Sequence, residues 1–121
     1  MWYKKVGNDY ELTKDMTIFL KGFIHLGDID HPYFYMRNGC LIVKAGYRWN
    51  GINYFPTTKR NIRGSLFHDC LYQMMQLGLL GTIWQYESDR VFNDIMKKDK
   101  EYYLYRSLLY YGVRIFGKYY L

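Results

Sequence analysis

The spacing of apolar residues changes once along the chain, near residue 58, and that change restricts the fold more than any single motif. Before it, β-favouring residues come in short runs broken by turn residues: Trp2 to Val6, Glu11 to Thr13 and Thr17 to Phe23, then Tyr33 to Arg37 and Cys40 to Tyr47 on either side of Asn38-Gly39. Asn-Gly suits the positive φ angles of a two-residue turn, so the last two runs are expected to pair as a hairpin. Gly27 to Pro32 reads as loop, and Trp49 to Thr58, with Asn50-Gly51 and Pro56, as a structured loop between the halves.

Beyond residue 58 the period becomes helical. Leu66, Phe67, Cys70, Leu71, Met74 and Met75 recur at steps of three and four, which predicts a helix with one broad apolar stripe from about Asn61 to Gln76. A turn, Leu77 to Gly81, ends it. Thr82 and Gln85 have the spacing of a capping box, and Val91, Phe92, Ile95 and Met96 form the buried face of the next helix. A third helix, roughly Lys100 to Phe116, carries Leu104, Leu108, Val113 and Phe116. Strands first and helices after argue for an α+β class: one domain over 1–121, mainly β and loop over 1–57 and mainly α over 58–121. The expected architecture is a small antiparallel sheet packed on a layer of three helices, the first two forming an antiparallel hairpin.

Composition narrows the class further. A chain of 121 residues with 50% hydrophobic content is too apolar for disorder and fits one globular domain. The longest uncharged stretch, Cys70 to Tyr86, contains three Gln, two Gly and a Thr and lacks a signal peptide's basic flank and cleavage site, so a soluble, unexported chain is expected. Cys40 and Cys70 allow at most one disulfide and have no Cys-x-x-Cys spacing, which points to buried free thiols in a reducing cytoplasm and to no zinc. The net charge of +6 calls for an acidic partner, and its distribution is uneven. Between His31 and His68 there is no acidic side chain, while Arg37, Lys44, Arg48, Lys59, Arg60 and Arg63 all fall there. With no nucleic-acid module beside it, this stretch reads as a solvated face, a protein-binding face or a contact for anionic lipid, rather than a specific nucleic-acid site. The apolar connection from Met74 to Trp84 suits a membrane interface, a neighbouring subunit or the chain's own sheet.

A polar group interrupts the first helix. His68 and Asp69 sit side by side, and Tyr72 lies one turn beyond His68 on the same face. An antiparallel hairpin brings Asp89 of the second helix back beside His68. A carboxylate accepting from one ring nitrogen of His68 fixes its tautomer and leaves the other nitrogen free to take a proton from water. Asp69, on the neighbouring side, offers an oxygen to a hard cation such as calcium, with backbone carbonyls from the loop Arg48 to Pro56 as further donors. The same four residues also read as a buried polar network that ties two helices together and does no chemistry. His25 and His31 have no partners in the sequence and stay outside the candidate site.

These residues resemble known families. His68-Asp69, Tyr72 and Ser88-Asp89 look like the His-Asp-x-x-Tyr … Ala-Asp pattern of phospholipase A2 domains. With Ala45-Gly46-Tyr47, Asn50 to Asn53, Pro56, Phe92 and the closing Tyr110 to Gly117, the stretch Leu41 to Gly117 is similar to a family of small, functionally unassigned proteins of tailed phages and prophages. In that family Asp stands at the position of Asn50 and Ser at that of Asn53, so one negative charge near the implied metal is missing here. The phospholipase resemblance implies His68 as general base, Asp89 as its orienting partner, Tyr72 as a support for that pair, and Asp69 with carbonyls of Trp49, Asn50 and Gly51 as calcium ligands. It implies hydrolysis of a lipid ester at a membrane without a covalent intermediate. The phage resemblance implies synthesis in a host cytoplasm and either incorporation into the virion, as a single chain or an oligomer, or contact with host proteins, as in an anti-defence factor.

Overall fold

The computed structural model describes residues 1–52 and 55–121, so Asn53 of the phage-type loop lies outside the described residues. The fold is α+β: antiparallel strands come first and three helices follow. The chain divides into two compact units, Met1–Asn50 and Gly51–Leu121.

Among the described residues the strands all fall in the first unit: β1 (Tyr3–Val6), β2 (Asp9–Leu12), β3 (Met16–Phe19), β4 (Ile29–His31), β5 (Phe34–Arg37), β6 (Cys40–Val43) and β7 (Arg48–Trp49). They form two antiparallel sheets, in the orders β1-β2-β7 and β3-β6-β5-β4. The expected hairpin is β5–β6, closed where Arg37 pairs with Cys40. Asn38 and Gly39 have φ of 51° and 79°, the double left-handed turn that matches the twist of the strands. Alternation then selects a face: Phe34 pairs with Val43 and Met36 with Leu41, and all four are buried. The smaller sheet is held by aromatic contacts, with the ring of Trp49 parallel to that of Trp2 at 6.2 Å and tilted against Tyr10 at 5.6 Å. Across its strands Glu11 lies between Lys4 and Arg48, and the Arg48 hydrogen bond draws the Glu11 carboxyl below its ordinary range.

Two strands fall where loop was expected. β4 occupies part of the Gly27 to Pro32 stretch, because Pro32 and Tyr33 make a turn tight enough for His31 to pair with Phe34. His31 accepts the Tyr33 N–H at Nδ1 and stacks its ring on Phe34 at 4.2 Å, so it serves the turn. β7 is a two-residue strand at the start of the connecting loop, paired with β2. Both cysteines are free thiols, but Cys40 is only half-buried, whereas Cys70 is buried and its thiol is pushed well up by that burial and then by the charge of Asp69.

The second unit contains α1 (Ile62–Gln76), α2 (Gln85–Lys98) and α3 (Tyr103–Phe116). α1 is buried on nearly every side, including Gly64, Ser65 and His68, so it is a central helix and not the carrier of a single stripe. Its start is fixed by side chains: the Thr58 N–H donates to Asn61 Oδ1, and the Thr58 hydroxyl donates to Glu101 at the head of α3. Its end is a left-handed glycine, Gly78 at φ 74°, with the N–H groups of Gly78 and Leu79 donating to the carbonyls of Met75 and Met74. The expected Thr82–Gln85 capping box does not form. Thr82–Trp84 winds as a 3-10 turn, and Gln85 points its amide at Tyr72 instead.

α1 and α2 are antiparallel, as their cross-links show. Arg63 makes a two-pronged ion pair with Asp99 at 2.9 and 2.8 Å, Gly64 admits Phe92 and Met96, and Tyr72 meets Gln85. α3 faces them through Leu109, with Tyr105 and Val113 packed beside it. Of the apolar positions expected on α3, Leu104, Leu108 and Phe116 are exposed, because the i, i+4, i+8 row Tyr105, Leu109, Val113 is the one that meets the core. Within the connection from α1 to α2, Met74, Met75 and Leu80 are buried while Leu77, Leu79 and Ile83 are exposed.

Gly39→Ala is expected to destabilise the first unit by roughly 1–3 kcal/mol, since the added methyl meets the Leu20 carbonyl oxygen at 2.8 Å in a backbone conformation that L residues avoid. Urea unfolding followed by tryptophan fluorescence reads this, with Asn38→Gly as the near-neutral comparison.

Candidate functional site

The register of the α1–α2 hairpin sets His68 and Tyr72, one turn apart on α1, against Asp89 in the second turn of α2. Asp89 has no solvent exposure. A carboxylate in that position costs far more than a buried methyl group unless its charge is answered by donors. Three side chains answer it. Nε2 of His68 lies 2.8 Å from Oδ1, the Tyr72 hydroxyl donates to the same oxygen at 2.7 Å, and a guanidinium nitrogen of Arg114 on α3 donates to Oδ2 at 2.6 Å.

This arrangement settles the chemistry of each member. With Asp89 ionised against Arg114, Nε2 of His68 must carry the hydrogen, so in the neutral ring the lone pair sits on Nδ1. Nδ1 looks the other way, with Asp69 Oδ1 at 4.0 Å. The ring cannot turn freely, because Tyr72 and Phe92 lie against it with centroids at 4.3 and 4.8 Å. Burial, and then the Asp89 carboxylate, push the Tyr72 phenol far above its ordinary range, so it stays a neutral donor. Its oxygen also accepts from Gln85 Nε2 at 3.4 Å. A Cβ at Gly117 would lie 2.2 Å from the Tyr72 hydroxyl oxygen, so the bare backbone of that glycine makes the hydroxyl's position available. Among the described residues no buried side-chain nitrogen or oxygen lacks a hydrogen-bond partner.

The structure therefore brings together His68, Asp69, Tyr72 and Asp89, as the residue spacing suggested. Asp69, with its side chain 26% exposed, directs an acceptor oxygen to the side of the ring where Nδ1 lies. The carbonyl donors named with it fall at the join of the two units: Trp49 ends β7, Asn50 closes the first unit, and Gly51 opens the second in a left-handed conformation at φ 72°. Among the described residues no group of three or more His, Cys, Asp or Glu side chains is arranged to hold a metal ion, so the one carboxylate of Asp69 suits a hard cation only with carbonyl or solvent oxygens beside it. His25 is exposed and His31 is taken up in its turn.

Arg114, Gln85 and Gly117 were not read as members of the site. Arg114 had the clearest signal: it is one of two cations in a largely apolar helix, and a buried Asp89 needs a counter-charge. Its guanidinium also covers the Tyr86 ring at 5.0 Å, which fixes it from the outer side. Comparison of the chain with protein-family models, with curated proteins and with solved structures gave no match.

Asp89→Ala is expected to cost about 3–5 kcal/mol, because Arg114, His68 and Tyr72 all lose the acceptor that makes their burial tolerable. Gly117→Ala is expected to cost roughly 1–3 kcal/mol through displacement of Tyr72. Both are read as shifts of the urea midpoint against the wild-type chain.

Proposed function

We propose that this protein is a hydrolase in which His68 takes a proton from water, and that its substrate is an ester of the phospholipid class. The observation that carries the reading is the single carboxylate oxygen, Asp89 Oδ1, shared between His68 Nε2 and Tyr72 while Nδ1 points to the side of Asp69. That set is the one for which the resemblance to phospholipase A2 domains implies catalysis.

The chemistry follows from the hydrogen-bond pattern. Nδ1 of His68 accepts a proton from water as the water oxygen bonds to the ester carbonyl carbon. The ring becomes an imidazolium, whose charge faces the Asp89 carboxylate at 2.8 Å. Nδ1 then returns the proton to the leaving alkoxide as the carbon–oxygen bond breaks, giving a free acid and an alcohol with no covalent enzyme intermediate. Arg114 donates to Asp89 Oδ2 and Tyr72 to Oδ1, with Gly117 leaving room for the Tyr72 hydroxyl. Asp69, with the carbonyl of Gly51 and solvent oxygens, would hold calcium, which would offset the negative charge that develops on the ester oxygen.

One observation favours a second reading. Every buried polar side-chain atom among the described residues is paired, as a purely structural node requires. On that reading the protein is a non-catalytic phage component, in the virion or in contact with host proteins as an anti-defence factor, and the cluster only fastens α1, α2 and α3 together.

Calorimetric titration of calcium into the wild-type chain and Asp69→Ala, run beside fatty-acid release from anionic phospholipid vesicles with and without chelator, separates the two. The hydrolase reading expects binding that is lost in Asp69→Ala, and chelator-sensitive release that falls by at least ~100-fold in His68→Ala. Absence of both binding and release, or release unchanged in His68→Ala, overturns it and leaves the structural node.

A further inference from the structure

Most basic residues of the acid-free stretch between His31 and His68 are engaged. Arg48 pairs with Glu11, Arg37 lies 3.4 and 3.7 Å from Asp28 and Asp30, Lys44 stands over the Tyr35 ring at 5.4 Å, and Arg63 is locked to Asp99. Lys59 and Arg60 remain. Both are exposed in the turn that enters α1, and among the described residues neither side chain has an acidic partner.

Two contacts bring a second basic stretch beside them. The Thr58 hydroxyl donates to Glu101, and the Arg63 guanidinium grips Asp99 at 2.9 and 2.8 Å, so residues 58–63 lie against residues 98–101 where α1 starts and α2 stops. Those contacts occupy both carboxylates of the second stretch. Lys98 and Lys100, on either side of Asp99, are exposed and make no ion pair among the described residues, even with Asp94 one turn back on α2. Four cations from two distant parts of the sequence thus share one end of the helical unit, and like charges held so close gain from an anion that spans them. Tyr102 follows Lys100 by two residues; it is 61% exposed, and among the described residues no ring or cation lies over it. No aliphatic side chain is exposed in residues 57–63 or 97–102, so a lipid surface finds nothing there to take up.

We infer that this end of the helical unit binds single-stranded nucleic acid without regard to base sequence: Lys59, Arg60, Lys98 and Lys100 meet backbone phosphates, and Tyr102 stacks on an unpaired base. The open ring separates this ligand from a duplex, whose base faces are covered, and from an acidic polypeptide, which needs only the charges. The inference goes beyond the hydrolase reading and stands without it, since none of these five side chains belongs to the His68 site.

It is tested by fluorescence anisotropy of the full chain with labelled strands of about 20 nucleotides, of thymidine, of uridine and abasic, and with a duplex of the same length. Binding of the thymidine and uridine strands is expected at low salt, with log K falling against log salt at a slope of about 3, each phosphate contact on a single strand giving about 0.7. Lys59→Gln/Arg60→Gln and Lys98→Gln/Lys100→Asn should each bind at least about tenfold more weakly and lower the slope by about 1.4. Asparagine suits the left-handed backbone at Lys100, φ 65°. Tyr102→Ala should weaken the thymidine and uridine strands at least about fivefold and leave the abasic strand unchanged. Lys14→Gln/Lys21→Gln, the same loss of charge on exposed lysines of the first unit, should change binding by less than about twofold. All variants should keep the wild-type urea midpoint, since none of the replaced side chains is buried. A preference between thymidine and uridine strands supports the inference and names the sugar. Absence of strand binding, equal loss in the patch and control variants, or tighter binding of the duplex, of polyglutamate or of ether-linked phosphatidylglycerol vesicles overturns it.

Discussion

The helical unit is organised around one carboxylate that water does not reach. Asp89 is fully buried, and a charge in that position is tolerated only where its surroundings supply hydrogens and opposite charge. Each helix contributes: His68 and Tyr72 come from α1, Asp89 itself from α2 and Arg114 from α3. The packing around the carboxylate is arranged to let them reach. Gly64 lets α2 approach α1, Gly117 makes room for the Tyr72 hydroxyl, and Arg63 with Asp99 fixes the far end of the hairpin. Removing any one donor leaves the remaining partners in a low-dielectric site with an incomplete set of hydrogen bonds, which is why the cluster acts as a unit.

The same constraint gives the site its chemical direction. A histidine whose Nε2 is committed to a carboxylate presents Nδ1 as its basic edge, and here that edge looks toward a second carboxylate, Asp69, that is partly open to solvent. A structural polar node needs only the first of these features. The second is what makes water activation and cation binding the reading to test first.

Much of this was legible in the sequence because local rules agreed with the fold. Asn38-Gly39 adopts the turn that its dipeptide favours, and the three- and four-residue spacing of apolar residues marked α1 to within a residue. His68, Tyr72 and Asp89 met as helical geometry required. The rest depended on contacts distant in sequence. Gln85 could cap its own helix or reach Tyr72, and spacing alone does not say which. α3 has apolar residues on more than one side, so its buried row, Tyr105, Leu109 and Val113, could not be separated from its exposed row before the contact with Phe92 and Met96 was known. Arg114 was hidden for the same reason, because its role depends on which way α3 is rotated. β4 and β7 are too short, at three and two residues, to show any alternation at all.

The central claim is that Asp89 holds His68 with the hydrogen on Nε2 and the lone pair on Nδ1. Long-range proton–nitrogen correlation spectroscopy of the imidazole, on uniformly nitrogen-15-labelled chain at a pH where the ring is neutral, reads the tautomer directly. A pyrrole-type Nε2 with a pyridine-type Nδ1, changing in Asp89→Asn, is the expected result. A ring that carries its hydrogen on Nδ1, or that averages both forms as a free imidazole does, contradicts the claim and leaves His68 without an oriented basic edge.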